Sequence, residues 1–198
     1  MADGFQVMDA PAWPRVRDRF SVDEFMVISE ARVFGDAVHL ELHDGKLVEM
    51  TAEGSRHAFN KGAAYALLRQ LAQSISGLKA APDLAVRLDD STVIAPDVVV
   101  IEAPTGRPST VPASWVRLAL EHADTSLDYD LGKKARMYAE AAIPELWVLD
   151  DRNLQLNRFH SPESGAYRRD PPLALDDEIA VPFAPGERIC VRDLFDLD

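Results

Sequence analysis

The sequence predicts a mixed α/β (α+β) fold, a mixed β-sheet flanked by helices. Three observations predict it. Residues 95–101, 115–123 and 145–150 are short, nearly all-apolar, β-branched runs, which is how strands covered on both faces read. A helical period over residues 129–142 joins the last two runs, as a right-handed crossover does. Asp44-Gly45 between alternating apolar runs marks a hairpin near the N-terminus.

Residues 1–20 read as an arm: Pro11, Trp13 and Pro14 sit among mixed charges and no period holds. A single domain follows over 21–198. Ser21 caps a helix that fades by Ala31, with Glu24 as the capping-box acid. In the hairpin, Leu40 and Leu42 alternate with His39 and Glu41, and Leu47, Val48 and Met50 return. A long helix over 55–76 carries Phe59, Ala63, Ala66, Leu67 and Leu71 at helical spacing, with Ser55 as its cap and Gly77 at its end. Residues 85–88 and 93–94 read as strands around an Asp89-Asp90 turn. Residues 102–114, rich in Pro, Ser, Thr and Gly, read as a loop. On the helix at 129–142, Leu131, Ala135, Tyr138 and Ala139 share a face, and Ile143-Pro144 ends it. A C-terminal β meander follows, with strands at about 154–160, 166–169, 178–182 and 188–192.

Composition narrows the function classes. In 198 residues, 21 Lys and Arg face 33 Asp and Glu, a net charge of −12. So acidic a chain argues against indiscriminate polyanion binding, and leaves room for a carboxylate metal site. The one cysteine, Cys190, excludes an intrachain disulfide and a multi-cysteine zinc site. No signal peptide or transmembrane run is visible, so a cytoplasmic location away from membranes is expected.

Two carboxylates stand out. Asp97 follows Pro96 at the head of one buried run, and Glu121 lies near the end of the next. By strand period, Glu121 shares a face with Arg117, Ala119 and Ala123. Two acids on neighbouring strands can share a divalent cation. Equally, Asp97 can cap a turn and Glu121 can pair with Arg117 or another base. Asp130 and Lys134, four apart, form either a surface ion pair or a lysine held near the acids. His57 lies in the first turn of the long helix, four residues after Glu53. His39, His43, His122 and His160 show no metal-ligand spacing. No phosphate loop and no nucleophile elbow is present.

Four stretches taken together resemble one family: 41–50 (ELHDGKLVEM), 95–100 (APDVVV), 120–130 (LEHADTSLDYD), and 134–150 with Lys134, Tyr138 and IPELWVLD. They resemble the bacterial putative restriction endonuclease family, common in cyanobacteria and part of the PD-(D/E)XK nuclease superfamily. The resemblance spans about residues 21–195. It implies a restriction-endonuclease-like core and metal-assisted hydrolysis of phosphodiester bonds in DNA. It implies Asp97 as the first acid and Glu121 as the second, binding Mg²⁺ or Mn²⁺ together with the backbone carbonyl of His122. The superfamily pattern places a lysine two residues after the second acid, where this chain has Ala123. The resemblance implies that Lys134, in Asp130-Leu-Gly-Lys-Lys134, takes its place. Glu49 and His57 match positions where the family shows an acid and a histidine at the edge of the site. A homodimer is also implied.

Phosphate contacts require bases. Arg56, Lys61 and Arg69, then Lys133, Lys134 and Arg136, with Arg168 and Arg169, are the candidates. The acidic balance and Ala123 motivate a second reading, a catalytically inactive nuclease-like module for interaction or regulation. Hydrolysis of a small phosphate compound is a third.

Overall fold

The computed structural model describes residues 18–35, 39–50, 54–102 and 108–197. Residues 1–17 of the arm expected at 1–20, and Glu53, lie outside them. Helix α1 (Val22–Glu30) begins with the expected capping box: Ser21 Oγ accepts from the Glu24 amide at 3.3 Å, and Glu24 Oε2 accepts from the Ser21 amide at 3.0 Å. Strands β1 (His39–His43) and β2 (Lys46–Met50) pair antiparallel around Asp44 and Gly45, at φ 51° and 78°. Two positive φ values define a type I′ turn. A Cβ on Gly45 would lie 3.1 Å from Arg19 Cβ and 3.2 Å from the Phe20 carbonyl oxygen, so space also selects glycine there.

Helix α2 (Ser55–Gln73) is followed by β3 (Leu78–Pro82), β4 (Val86–Arg87), β5 (Val93–Ile94), β6 (Val98–Glu102), β7 (Val111–Pro112) and β8 (Val116–Ala123). After β8 come α3 (Leu127–Tyr129), a π-turn (Asp130–Lys134) and α4 (Ala135–Glu140). Then come β9 (Glu145–Asp150), β10 (Gln155–Glu163), β11 (Ala166–Arg169), β12 (Leu173–Ala174), β13 (Glu178–Ala180) and β14 (Arg188–Cys190). β3 carries no β-branched residue and has no strand signal of its own. Antiparallel pairing with β6 recruits it.

The larger sheet runs β11-β10-β9-β8-β6-β3, with β12 also on β10. Its one parallel pair among the described residues is β8 with β9, the pair joined by the crossover. A smaller sheet runs β2-β1-β5-β4-β7, and β13 pairs with β14. Both faces of the large sheet are covered, which is why its central strands read as continuous apolar runs. On one face, Val98, Val100, Leu118 and Leu120 pack against Ala64, Leu68 and Ala72 of α2. On the other, Val99, Ala119, Ala123 and Val148 pack against Ala135, Met137 and Tyr138 of α4.

Two local expectations are corrected. The buried stripe of α2 is Asn60, Ala64, Leu68 and Ala72, while Phe59 is 64% exposed. Polar Asn60 is buried because its Oδ1 accepts from the Asp196 amide at 2.9 Å, which ties the C-terminal segment to the helix. That stripe contains a polar residue and two alanines, so the bulkier apolar stripe beside it is the stronger sequence signal. The N-cap of α2 is Gly54, with no side-chain capping bond, rather than Ser55.

Candidate active site

The antiparallel register of β6 and β8 sets Val98 against Leu120. One residue beyond it, Asp97 comes beside Glu121. Strand alternation turns Glu121 toward α4, with Ala119 and Ala123, and turns His122 toward α2. Both carboxylates are buried, as are Lys134, Asp130 and Glu41.

The π-turn delivers the lysine. The Ala135 amide bonds to the Asp130 carbonyl, five residues back, and the regular turn after it puts Lys134 and Tyr138, four apart, on one carboxylate. Lys134 Nζ donates to Glu121 Oε1 at 3.0 Å, and the Tyr138 hydroxyl donates to the same oxygen at 2.5 Å. Lys134 Nζ is also 3.9 Å from both Glu41 Oε1 and Asp130 Oδ1. The pair of Asp130 and Lys134 is therefore buried and not a surface ion pair. Arg117 does not reach Glu121; it pairs with Glu102. The two alanines beside Glu121 make room for α4, and Tyr138 fills it.

Asp97 is held by α2 and by the neighbouring strand. His57 Nε2 lies 3.1 Å from its Oδ1, and the His122 amide donates to Oδ2 at 2.7 Å. His122 is itself anchored, with Nδ1 2.9 Å from Asp151 Oδ1. One helical turn beyond His57, Lys61 Nζ donates to Asp83 Oδ1 at 3.1 Å, and the Asp83 amide donates to the Asp97 carbonyl at 3.4 Å. α2 thus braces the head of β6 through two consecutive turns.

Three residues joined to this cluster carried no signal that sequence spacing singled out. Glu41 Oε1 accepts from the Ala95 amide at 2.9 Å, and its Oε2 lies 2.6 Å from His43 Nε2. His43 Nδ1 lies 2.6 Å from the Tyr129 hydroxyl. Glu41 and His43 are two apart on β1, so they share the face opposite Leu40 and Leu42. Their alternation looks like an ordinary solvated strand face, yet the end of α3 covers it. Glu49 is placed otherwise. It is exposed on β2 and pairs in register with Leu40, on the face away from Glu41, so it stays outside the cluster.

The electrostatics follow from crowding. Burial pushes the Glu121 carboxyl up to about 8, helped by the charges of Asp97, Asp130 and Glu41 against that of Lys134. Burial also raises Asp130. Burial opposes the charge of Lys134, but Glu121, Glu41 and Asp130 outweigh it and raise its pKa, so the ammonium keeps its proton. The proton balance of this coupled pair therefore rests on Glu121. Burial works to raise Asp97 as well, yet the His57 bond and charge and the His122 amide hold it below the usual range.

Among the described residues, no group of three or more His, Cys, Asp or Glu side chains is arranged to hold a metal ion. The donor set suits a hard divalent cation: carboxylate oxygens from neighbouring strands, in a buried cluster where Asp97, Glu121, Asp130 and Glu41 surround Lys134. The site residues present fit such an ion.

A mixed sheet with helices on both faces, presenting paired acids at the ends of two central strands with a lysine against one of them, defines a nuclease-type fold. The chain belongs to the putative restriction endonuclease family Uma2, whose profile matches residues 22–191. A crystal structure of a putative nuclease belonging to DUF820 from Anabaena variabilis superposes with a TM-score of 0.68, over 89% of this chain and 97% of that one. At 15% identity, that likeness shows the shared fold. No curated protein matches the chain.

Proposed function

We propose that this protein is a divalent-metal-dependent endonuclease that hydrolyses phosphodiester bonds in DNA. The observation that carries the reading is the buried contact of Glu121 with Lys134 at 3.0 Å, beside Asp97 in strand register. Asp97, Glu121 and the His122 carbonyl would hold Mg²⁺ or Mn²⁺. The bound ion supplies charge to polarise the scissile phosphate and acidify a water. The chain does the rest. Tyr138 and Lys134 fix the rotamer of Glu121. His57 and the His122 amide fix Asp97. Lys134 offers a permanent positive charge to a phosphate oxygen as negative charge grows there. Glu49, on the far face of β2, contributes at most outside this cluster.

Calorimetric titration of Mg²⁺ and Mn²⁺ tests the site, followed by nicking of supercoiled plasmid. Saturable binding in the wild type, lost in Asp97→Ala/Glu121→Ala, with nicking lost in parallel, is the expected result. One observation favours the second reading, an inactive nuclease-like module. Bases that could grip phosphate are engaged by acids: Lys61 with Asp83, Arg136 with Glu140 and Arg152 with Asp124. Wild-type protein that neither binds metal nor nicks DNA would move the conclusion there.

A further inference from the structure

We propose that Tyr129 is a further catalytic residue: its hydroxyl protonates the oxygen that leaves phosphorus, and His43 with Glu41 resupplies the proton. The inference rests on the nuclease reading and deepens it.

The geometry is a three-member relay. Glu41 and His43 are 3% and 1% exposed, and Tyr129 at the end of α3 is partly exposed. Both links are 2.6 Å. The His43 and Tyr129 rings stack at 6.0 Å with 12° between planes, so the imidazole is fixed in direction as well as distance. A hydroxyl bonded to a histidine that is oriented by a buried carboxylate is the arrangement that moves protons to and from a reacting group. Tyr129 is where this relay meets solvent. Its inner end abuts the acid cluster, since Glu41 faces His43 with one oxygen and Lys134 with the other. Lys133 Nζ lies 5.7 Å from the centroid of the Tyr129 ring, placing a cation at the same rim for an incoming phosphate. Burial, then the charge of Glu41, raises the pKa of the Tyr129 hydroxyl above that of an ordinary phenol. It therefore carries its proton at neutral pH and is not a phenolate nucleophile.

The step balances. Water oxygen forms the new bond to phosphorus as the bond to the departing oxygen breaks. In-line displacement sets these two oxygens on opposite sides of phosphorus, so the acid for the second belongs apart from the groups around the first. Tyr129 gives its proton to the departing oxygen and takes the Nδ1 proton of His43. The proton shared by His43 Nε2 and Glu41 Oε2 stays on the imidazole. The proton released from the attacking water passes to solvent, and a solvent proton returns to His43 Nδ1 through the partly exposed Tyr129 hydroxyl.

The test compares two oligonucleotide duplexes cut at a site mapped with the wild type. One is natural, and one carries sulfur in place of the departing oxygen. A thiolate leaves without a proton. Tyr129→Phe is expected to cut the natural duplex about 100-fold more slowly and the sulfur duplex within about threefold of wild type. His43→Gln gives the same selective pattern, and serves if Tyr129→Phe fails to fold. Equal loss on both duplexes, or no loss on either, overturns the relay and leaves the nuclease reading standing. Wild-type protein that cuts neither duplex overturns both.

Discussion

Lys134 is the residue on which the cluster turns, because among the described residues it is the one lysine or arginine within reach of Glu121, Glu41 and Asp130 together. Lys134→Met keeps the aliphatic stem and removes the charge. Plasmid nicking is expected to fall by about 100-fold or more, the scale seen when a donor to developing charge is lost. Circular dichroism separates that loss from unfolding. At this scale the sequence was partly legible. Asp97, Glu121 and Lys134 interrupt apolar or helical patterns, and buried charges need partners, so their proximity could be anticipated. Glu41 and His43 could not, because a polar strand face under a distant helix looks the same as one in water. The sequence also suggested Glu49 at the site's edge, and strand parity turns it away.

Two local elements show where pattern and packing part. The sequence reads 129–142 as one helix, and the structure divides it into α3, a π-turn and α4. Side-chain periodicity cannot reveal a π-turn, since one extra residue leaves each flanking stripe intact. Gly132 lies within that turn, and a Cβ there meets nothing within 4 Å. Gly132→Ala is expected to raise stability by about 0.5–1 kcal/mol in urea unfolding, from the helix penalty of glycine alone. The turn after β9 depends on a charge. Asp150 Oδ1 accepts from the Arg152 and Asn153 amides, each at 3.0 Å, and Oδ2 accepts from Asn153 Nδ2 at 2.7 Å. Burial works to raise this carboxyl, but the Asn153 and Arg152 bonds prevail and hold it below the usual range. An acid with a depressed folded pKa stabilises the fold above its unfolded pKa, about 3.9, and loses that effect as pH falls through the folded value. Asp150→Asn is therefore expected to cost about 1–2 kcal/mol at pH 7, and progressively less in unfolding curves taken toward pH 2.

At the scale of the whole molecule, the fold class was legible because both-face burial stamps a continuous apolar run on each central strand. The pairing of β3 was not, nor was the joining of the hairpin to β5 and of β4 to β7, since long-range pairing assembles them from short segments. The charge of −12 sets how the protein meets a polyanion. Arg56, Arg69 and Lys133 are exposed bases on the elements that build the site. A DNA duplex held through three such contacts gives a slope of about −3 for log affinity against log salt concentration. Fluorescence anisotropy with the Asp97→Asn variant measures it. A slope steeper than about −6 would instead point to a larger basic surface.

Helix α2 carries Arg56, Lys61 and Arg69 and no acidic residue at all, inside a chain with 33 of them. On the proposed DNA substrate, this helix offers positive charge while the net charge of −12 repels a polyanion, so approach along α2 is favoured over approach elsewhere. Most collisions with a chromosome then end before a phosphate nears Asp97. On the proposed endonuclease, the acidic bulk would act as a brake: it would shorten random dwell on DNA without any inhibitor, and leave productive encounters to substrate that meets the basic helix.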